Sequence, residues 1–425
     1  MKKKKAPLVR RMKEFVKTSV VWGPLDHNLF FTIIFLNVYG IIMVYSASYN
    51  NSITKNYSYF MNNQLKNVIF GFVIMIVASY VNYHRIVRLG WGWFWLLAAV
   101  AIIAALKTPL AHSELGATRW IKLGPVSFQA AEPIKAAIII FFAYYVSYWG
   151  LNRWYSQLPA CLLAIALLGF LFFFSNNLST VIVLFCICAV IILSSVKKPD
   201  LYWYFLLGLA LIIIAAIFVT VYLLMHQGAE NFRFVRIRAW LHPEEYAADE
   251  GLQAMQARYA IGAGGFWGKG LGQSLIKFKL SYSYNDFILA IICEELGVFG
   301  VIVMMTLFGY LLYRIYKIAQ NAWDIEGKVL AIGVFTQIAL QLLINVMVVT
   351  SVIPTTGVTL PFFSAGGTSV VFLLAELGMV LNVDKYAKER RFFEEAERHV
   401  AQMEQRGGIG VAGWRRRLDS ARTRR

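Results

Sequence analysis

Long apolar runs alternate with short polar segments along most of the chain. Each run approaches the ~20 residues that a helix needs to cross a bilayer. This pattern predicts a polytopic integral membrane protein of the all-α class. We predict about ten transmembrane helices, at residues 29–49, 67–82, 91–107, 133–148, 156–174, 178–195, 202–225, 286–313, 329–352 and 367–383.

Longer polar segments divide the chain into regions. We predict a basic cytoplasmic N-terminus at 1–28, a ten-helix membrane domain at 29–383 and a charged cytoplasmic tail at 384–425 that begins as a frayed helix and then becomes disordered. Residues 108–132 form a predicted outside loop. Residues 226–285 form a large extracytoplasmic loop between helices 7 and 8, and its many aromatic residues predict that it folds back on the bundle.

Composition and charge agree with a membrane protein. The 425 residues are 59% hydrophobic and 15% charged, whereas soluble domains have about 25% charged residues. The net charge of +18 is concentrated beside the first and last spans and in the short loops on the same side. By the positive-inside rule both termini are cytoplasmic, and we expect contact with anionic lipid rather than nucleic acid.

Three carboxylates mark the most informative stretch. Asp286 stands where a polar loop meets a long apolar run, and Glu294 and Glu295 follow inside that run. Charge at a membrane boundary is costly and is usually kept for function. Asp286 fits a helix N-cap and also a general base facing the basic large loop, and the two roles are compatible.

Two further segments are candidates for an internal cavity. Gln129, Glu132 and Lys135 recur every three residues and would share one helix face, either as a structural ion pair or as cavity-lining groups. The irregular segment 354–369, which contains Ser364, is tolerated near a bilayer only against protein or a wet cavity. It therefore predicts the lining of the same cavity as the large loop.

The large loop contains a glycine-rich stretch and many basic residues. Residues 262–270 lack the Walker A order, which leaves a tight re-entrant turn or an anion site as alternatives. The basic cluster suits a phosphate or pyrophosphate headgroup, or it forms a solvated surface. Its members are Arg233, Arg236, Arg238, Arg258, Lys269, Lys277 and Lys279.

Taken in order, seven segments resemble motifs of the SEDS family of cell-wall proteins, which includes FtsW, RodA and SpoVE. The resemblance extends from about residue 26 to 383. The segments are 40–48, 116–121, 129–135, 236–243, 264–272, 286–297 and 354–369.

The resemblance implies a peptidoglycan glycosyltransferase of the bacterial plasma membrane. Its substrate would be lipid II, a disaccharide-pentapeptide on undecaprenyl pyrophosphate, and its partners a class B penicillin-binding protein and other division proteins. Asp286 falls on the family's proposed catalytic aspartate, and a divalent cation, Mg²⁺ or Mn²⁺, would accompany the pyrophosphate. The implied substrate-binding residues are Arg119, Gln129, Glu132, Lys135, Arg236, Arg238, Lys269 and Ser364.

This chain departs from the family pattern at several positions. Asn177 replaces an intramembrane aspartate, and Ala365 replaces a tyrosine. Residues 281–285, directly before Asp286, differ from the family's usual sequence. Segment 354–360 is closer to the division branch than to the elongation branch. The alternatives are an elongation-type polymerase, a lipid II flippase or transporter, and a non-catalytic scaffold that uses the charged tail.

Overall fold

The computed structural model describes most of the membrane domain. The described residues are 21, 23–48, 59–114, 117–123, 126–151, 154–175, 177–195, 232–246, 251–278, 280, 284–365 and 367–405. The predicted span 202–225 and the end of the tail lie outside this part. Within it the chain is mainly helical, which confirms the all-α class.

Twelve helices follow one another in the described residues. They are α1 (His27–Ser48), α2 (Tyr59–Tyr80), α3 (Tyr83–Val87), α4 (Trp93–Ala105), α5 (Ala131–Trp149), α6 (Trp154–Ser175), α7 (Leu178–Ser195), α8 (Phe232–Leu241), α9 (Leu252–Gly264), α10 (Ile288–Gln320), α11 (Ile325–Val349) and α12 (Thr368–Gln405). Nine of the predicted spans coincide with α1, α2, α4 to α7 and α10 to α12. Of these, α1, α2, α6, α7, α10 and α11 are long and apolar enough to cross a membrane by length and composition. The total of ten stays a prediction.

A small antiparallel sheet occupies the predicted loop between α4 and α5. Its strands are β1 (Ala111–Glu114), β2 (Ala117–Leu123) and β3 (Val126–Gln129), in the order β1-β2-β3. Trp120 on β2 pairs with Gln129 on β3. The sheet therefore delivers the chain directly to the start of α5, where Glu132 and Lys135 lie.

The last three helices form the centre of the bundle. α12 packs along α2, α10 packs against α1 and α9, and α11 packs against α5, α7 and α10. Small residues permit the closest approach: a Cβ on Gly378 would lie 2.5 Å from the Met75 carbonyl oxygen, and one on Gly71 would lie 2.6 Å from Leu374 Cδ1. Such small-residue contacts are how helices associate in lipid, where apolar burial gives no net drive.

The described parts of the large loop fold onto this bundle, as predicted. α9 lies along α10, and the Trp240 indole N–H on α8 donates to the Ser351 carbonyl at 2.9 Å. The charged tail begins as the continuation of α12, which remains helical to Gln405. This confirms the predicted helical start of the tail.

A polar cluster fixes the turn between α10 and α11. Asp324 is the N-cap of α11 and accepts from the Gly327 N–H at 2.8 Å. It also accepts from the Tyr83 hydroxyl at 2.7 Å and lies 2.6 Å from His84 Nε2. Burial alone would raise the pKa of Asp324, but the hydrogen bonds from His84, Gly327 and Tyr83 hold that pKa below its ordinary value.

We expect Asp324→Ala to lower the free energy of unfolding by about 2 kcal/mol, because a helix cap is lost and buried donors lose their acceptor. The depressed pKa means that this stabilisation is present above the unfolded-state pKa of about 3.9 and is lost as the pH falls through the folded-state value. Thermal unfolding of the detergent-solubilised protein between neutral and acid pH measures both effects. A difference from wild type that grows toward acid pH would contradict this account.

Candidate active site

Three adjoining cavities form a polar cleft inside the bundle. Gln129 and Asn177 line both the first and the second cavity, and Glu132 and Gln341 line both the second and the third. The three cavities therefore share walls, and we refer to them together as the polar cleft.

Four residues predicted to bind substrate lie on this cleft: Gln129, Glu132, Lys135 and Ser364. The three-residue spacing on α5 brings Lys135 Nζ to 2.9 Å from Glu132 Oε1, with both side chains almost fully buried. The predicted ion pair is therefore confirmed. The same pair also lines the cleft. Glu132 and Lys135 are therefore both a structural ion pair and cavity-lining groups.

The sequence prediction missed a buried carboxyl group beside this pair. Glu376 on α12 is only 1% exposed and accepts from Gln337 Nε2 at 2.8 Å. It interacts electrostatically with both Lys135 and Glu132, and its Oε1 is buried without a hydrogen-bond partner among the described residues. The signal was present, since Glu376 is a carboxylate within the apolar run 367–383.

Asn177 also lines the cleft, at the position where the family resemblance implies an aspartate. Its Oδ1 accepts from the Thr180 N–H at 3.4 Å at the start of α7. The acid that accompanies the Lys135 pair in this chain thus comes from α12 rather than from the start of α7.

Asp286 is half-buried just before α10. The N-cap of that helix is Phe287 and makes no side-chain capping bond, so the interpretation of Asp286 as the cap is wrong. The Asp286 carbonyl instead accepts from Asn345 Nδ2 at 2.9 Å, and the same amide donates to Val358 at 2.9 Å. Asn345 therefore ties the backbone of Asp286 to the wall of the cleft, which includes Val358.

The irregular segment 353–365 holds the residues before Asp286 in place. The Ser364 hydroxyl donates to the Asn285 carbonyl at 2.9 Å and accepts from the Leu360 N–H at 2.7 Å. The Ala365 N–H donates to the Tyr284 carbonyl at 2.9 Å. Ser364 and its neighbours also line the cleft, so this segment lines a cavity as predicted. The described residues of the large loop do not line it, so the prediction that the two segments share a cavity is wrong.

Strain in the same segment points to a site whose backbone is fixed by its surroundings. Phe362 has a φ of 65° although it is not glycine, a conformation that costs of order 1–3 kcal/mol. Its ring is buried against Phe308, with centroids 6.0 Å apart. A Cβ on Gly40 of α1 would overlap the Phe362 carbonyl, so close packing on both sides holds the strained residue.

Glu294 and Glu295 are fully buried in a separate network. Lys269 Nζ lies 2.7 Å from Glu294 Oε1, and Ser274 Oγ donates to the same carboxylate. Glu295 accepts from Ser46 Oγ at 2.5 Å, and Lys277 Nζ lies 3.4 Å from it. These acids are anchored inside the protein, and the geometry gives them a structural role rather than the chemical one that their position suggested.

The glycine-rich stretch is a tight turn, which decides between the two alternatives. α10 is broken at Gly297, with a φ of 65°, and the carbonyls of Glu294 and Glu295 accept from the N–H groups of Lys269 and Gly270 at 2.9 Å. A Cβ on Gly268 would overlap the Glu295 carbonyl. Only glycine permits this approach, so the backbone N–H groups bind α10 rather than an anion.

The predicted cationic residues do not gather around the cleft. Lys269 is paired with Glu294, and Arg236 and Arg238 are half-buried on α8. None of these three, nor Asp286, lines the three cavities. The backbone of Arg119 belongs to β2, and its side chain lies outside the described part. The substrate-binding roles of these residues stay predictions.

The divalent cation also stays a prediction. Among the described residues, no group of three or more His, Cys, Asp and Glu side chains could hold a metal ion. These side chains alone therefore do not fit a resident Mg²⁺ or Mn²⁺ site, and no step below depends on one.

Comparisons with known proteins agree with this geometry. The FtsW/RodA/SpoVE "Cell cycle protein" family model matches residues 26–389. A probable peptidoglycan glycosyltransferase FtsW of Trichlorobacter lovleyi is 32% identical over 88% of this chain and 96% of the relative. The stage V sporulation protein E of Bacillus subtilis is 34% identical over 84% of this chain and 96% of the relative.

Solved structures show the same fold. One, described as the structural coordination of polymerization and crosslinking by a peptidoglycan synthase complex, matches with a TM-score of 0.71 at 22% identity, over 86% of this chain and 99% of the other. The RodA structure from Thermus thermophilus gives 0.61 at 22% identity, over 86% and 98%. The fold and its polar cleft define a multi-pass helical membrane protein. The chain belongs to the FtsW/RodA/SpoVE family.

We expect Lys135→Met to lower the free energy of unfolding by about 3–5 kcal/mol, because it leaves Glu132 buried without its cation. The double variant Lys135→Met/Glu132→Gln should recover most of this loss, since it removes one unpaired charge. Thermal unfolding in detergent measures both.

The matched control is Lys388→Met, which breaks the partly exposed pair with Asp384 and should cost less than about 1 kcal/mol. Equal effects of the two single lysine variants, or no recovery in the double variant, would contradict a buried Glu132–Lys135 ion pair.

Proposed function

We propose that this protein is a peptidoglycan glycosyltransferase that polymerises lipid II into glycan strands for septal wall synthesis. The relatives named FtsW support the reaction class. The observation that carries the proposal is the attachment of Asp286. Its own carbonyl and that of Asn285 are bound by Asn345 and Ser364, so the backbone that carries this carboxylate is held firmly beside the wall of the cleft.

In the proposed reaction Asp286 is the general base. Its carboxylate accepts the proton of the 4-hydroxyl of the acceptor sugar, and the freed oxygen forms a bond to the anomeric carbon of the donor sugar. The bond from that carbon to the lipid diphosphate breaks, and the diphosphate leaves with the electron pair. A single displacement converts the α-linked donor into a β-linked product.

The remaining predicted residues are assigned to binding. Gln129, Glu132 and Lys135 shape the polar cleft that they line. Arg236 and Arg238 are the proposed partners of the diphosphate, where positive charge stabilises the leaving group. Lys269 contributes less in this proposal, because Glu294 already neutralises it. A divalent cation would enter with the diphosphate of the substrate.

The proposal extends to location and partners. The protein lies in the bacterial plasma membrane with both termini in the cytoplasm, as the distribution of basic residues indicates. Its proposed partner is a class B penicillin-binding protein, with other division proteins beside it. The likeness in fold to a chain of a peptidoglycan synthase complex that coordinates polymerization and crosslinking supports this partner.

We expect Asp286→Asn to lower the rate of glycan polymerisation by at least about 10²-fold, the contribution typical of a general base. The assay separates products from labelled lipid II, with the purified protein alone and with its partner transpeptidase. Glu394→Gln is the matched control, because Glu394 is half exposed on the far part of α12; it should polymerise as fast as wild type.

Polymerisation by Asp286→Asn at the wild-type rate would refute the base assignment. Movement of the labelled headgroup across vesicles by the wild-type protein, with no new glycosidic bond in the presence of the partner, would favour the flippase alternative instead.

A further inference from the structure

Residues 265–278, which we call the re-entrant loop, expose an apolar surface. Trp267 is 73% exposed, Leu275 66% and Phe266 53%. Leu271 and Phe278 are exposed to the same degree as Phe266. A water-facing loop rarely carries so many adjacent large apolar groups, and a patch of this kind marks an interaction surface.

The polar groups of the same loop point inward. The N–H groups of Leu275 and Ile276 donate to the Glu294 carboxylate at 3.2 and 3.3 Å, and that of Ser274 donates to Glu295 at 3.3 Å. Lys277 is buried, and its Nζ donates to the Gly272 carbonyl at 2.7 Å.

Further backbone groups of the loop are satisfied by the backbone of α10. The N–H groups of Lys269 and Gly270 bond to carbonyls near the break in that helix, and the carbonyls of Gly265 and Phe266 accept from Val298 and Phe299. Irregular backbone can enter a bilayer only when its polar groups are satisfied within the protein. Glu294 and Glu295 supply many of these partners.

The position of the loop along α10 indicates its depth. Arg314 lies near the other end of this helix and pairs with Asp26. The hydrocarbon core spans about 20 helical residues, and counting back that far from Arg314 reaches Glu294 and Glu295. The re-entrant loop therefore lies level with the boundary between hydrocarbon and headgroups.

The apolar surface of the loop continues onto a face of α10. The Trp267 ring lies 5.5 Å from that of Phe299, measured between centroids. Phe299, Val298 and Ile302 are each about half exposed on this spanning helix, so this face meets lipid. Tryptophan is enriched at the interface because its ring is apolar and its N–H is polar.

We propose that the re-entrant loop is inserted into the membrane, with Phe266, Trp267, Leu271, Leu275 and Phe278 among the upper parts of the acyl chains. The buried glutamate pair is the polar core that makes this insertion possible. The large loop is thus attached to the lipid surface at a fixed depth. The inference does not depend on the proposed reaction.

The test is tryptophan fluorescence of the purified chain in vesicles of brominated phosphatidylcholine. The contribution of Trp267 is obtained by subtracting the fluorescence emission of the Trp267→Phe variant from that of the wild-type protein. We expect bromines near the headgroup end of the acyl chain to remove more than half of this difference, bromines near the methyl end to remove less, and aqueous acrylamide to remove little.

Trp323→Phe is the matched control, since Trp323 is 40% exposed in the turn between α10 and α11; acrylamide should quench its contribution. Should Trp267→Phe fail to fold, Phe278→Trp in the wild-type background adds a second tryptophan to the same loop. The fluorescence emission that it adds is then tested with the same quenchers. Quenching of Trp267 by acrylamide but not by bromine would show a water-facing loop, and resistance to both would show a loop packed inside the protein. Either result overturns the proposal.

Discussion

This structure depends on one constraint: charged side chains and backbone N–H and C=O groups inside an apolar helix bundle need ion-pair or hydrogen-bond partners. An ion removed from water costs several kcal/mol unless it is paired and hydrogen-bonded. Three buried lysine–glutamate pairs follow this rule: Lys135 with Glu132, Lys269 with Glu294, and Lys277 with Glu295. The two pairs formed by Glu294 and Glu295 also join the re-entrant loop to α10, whereas the Glu132–Lys135 pair lies within α5.

This constraint separates the acids of the chain by role. Glu294 and Glu295 accept hydrogen bonds from a loop folded against them and are fully buried. Asp286 differs, because the protein fixes its backbone through Asn345 while its side chain remains half-buried. A group that must reach a substrate needs a rigid support and an accessible side chain. That contrast is the physical reason for assigning chemistry to Asp286.

The sequence was most informative where periodicity is long. Apolar runs predicted the spanning helices, and the three-residue spacing predicted the Glu132–Lys135 pair correctly. Strands of four residues, such as Val126–Gln129, are too short to give a clear period, so the sheet before α5 was missed. The role of Glu294 was also beyond sequence reasoning, because its partners Ser274 and Leu275 approach it only through the folded loop. Glu376 could have been found as an isolated acid in an apolar run.

The most direct test of the account compares polymerisation rate and melting temperature in Asp286→Asn and Glu294→Gln, measured on the same preparations. The account predicts that Asp286→Asn loses polymerisation and keeps the wild-type melting temperature, whereas Glu294→Gln melts at a lower temperature. If Asp286→Asn melts early and Glu294→Gln is stable but inactive, the assignment of roles to these acids is reversed and the account is wrong.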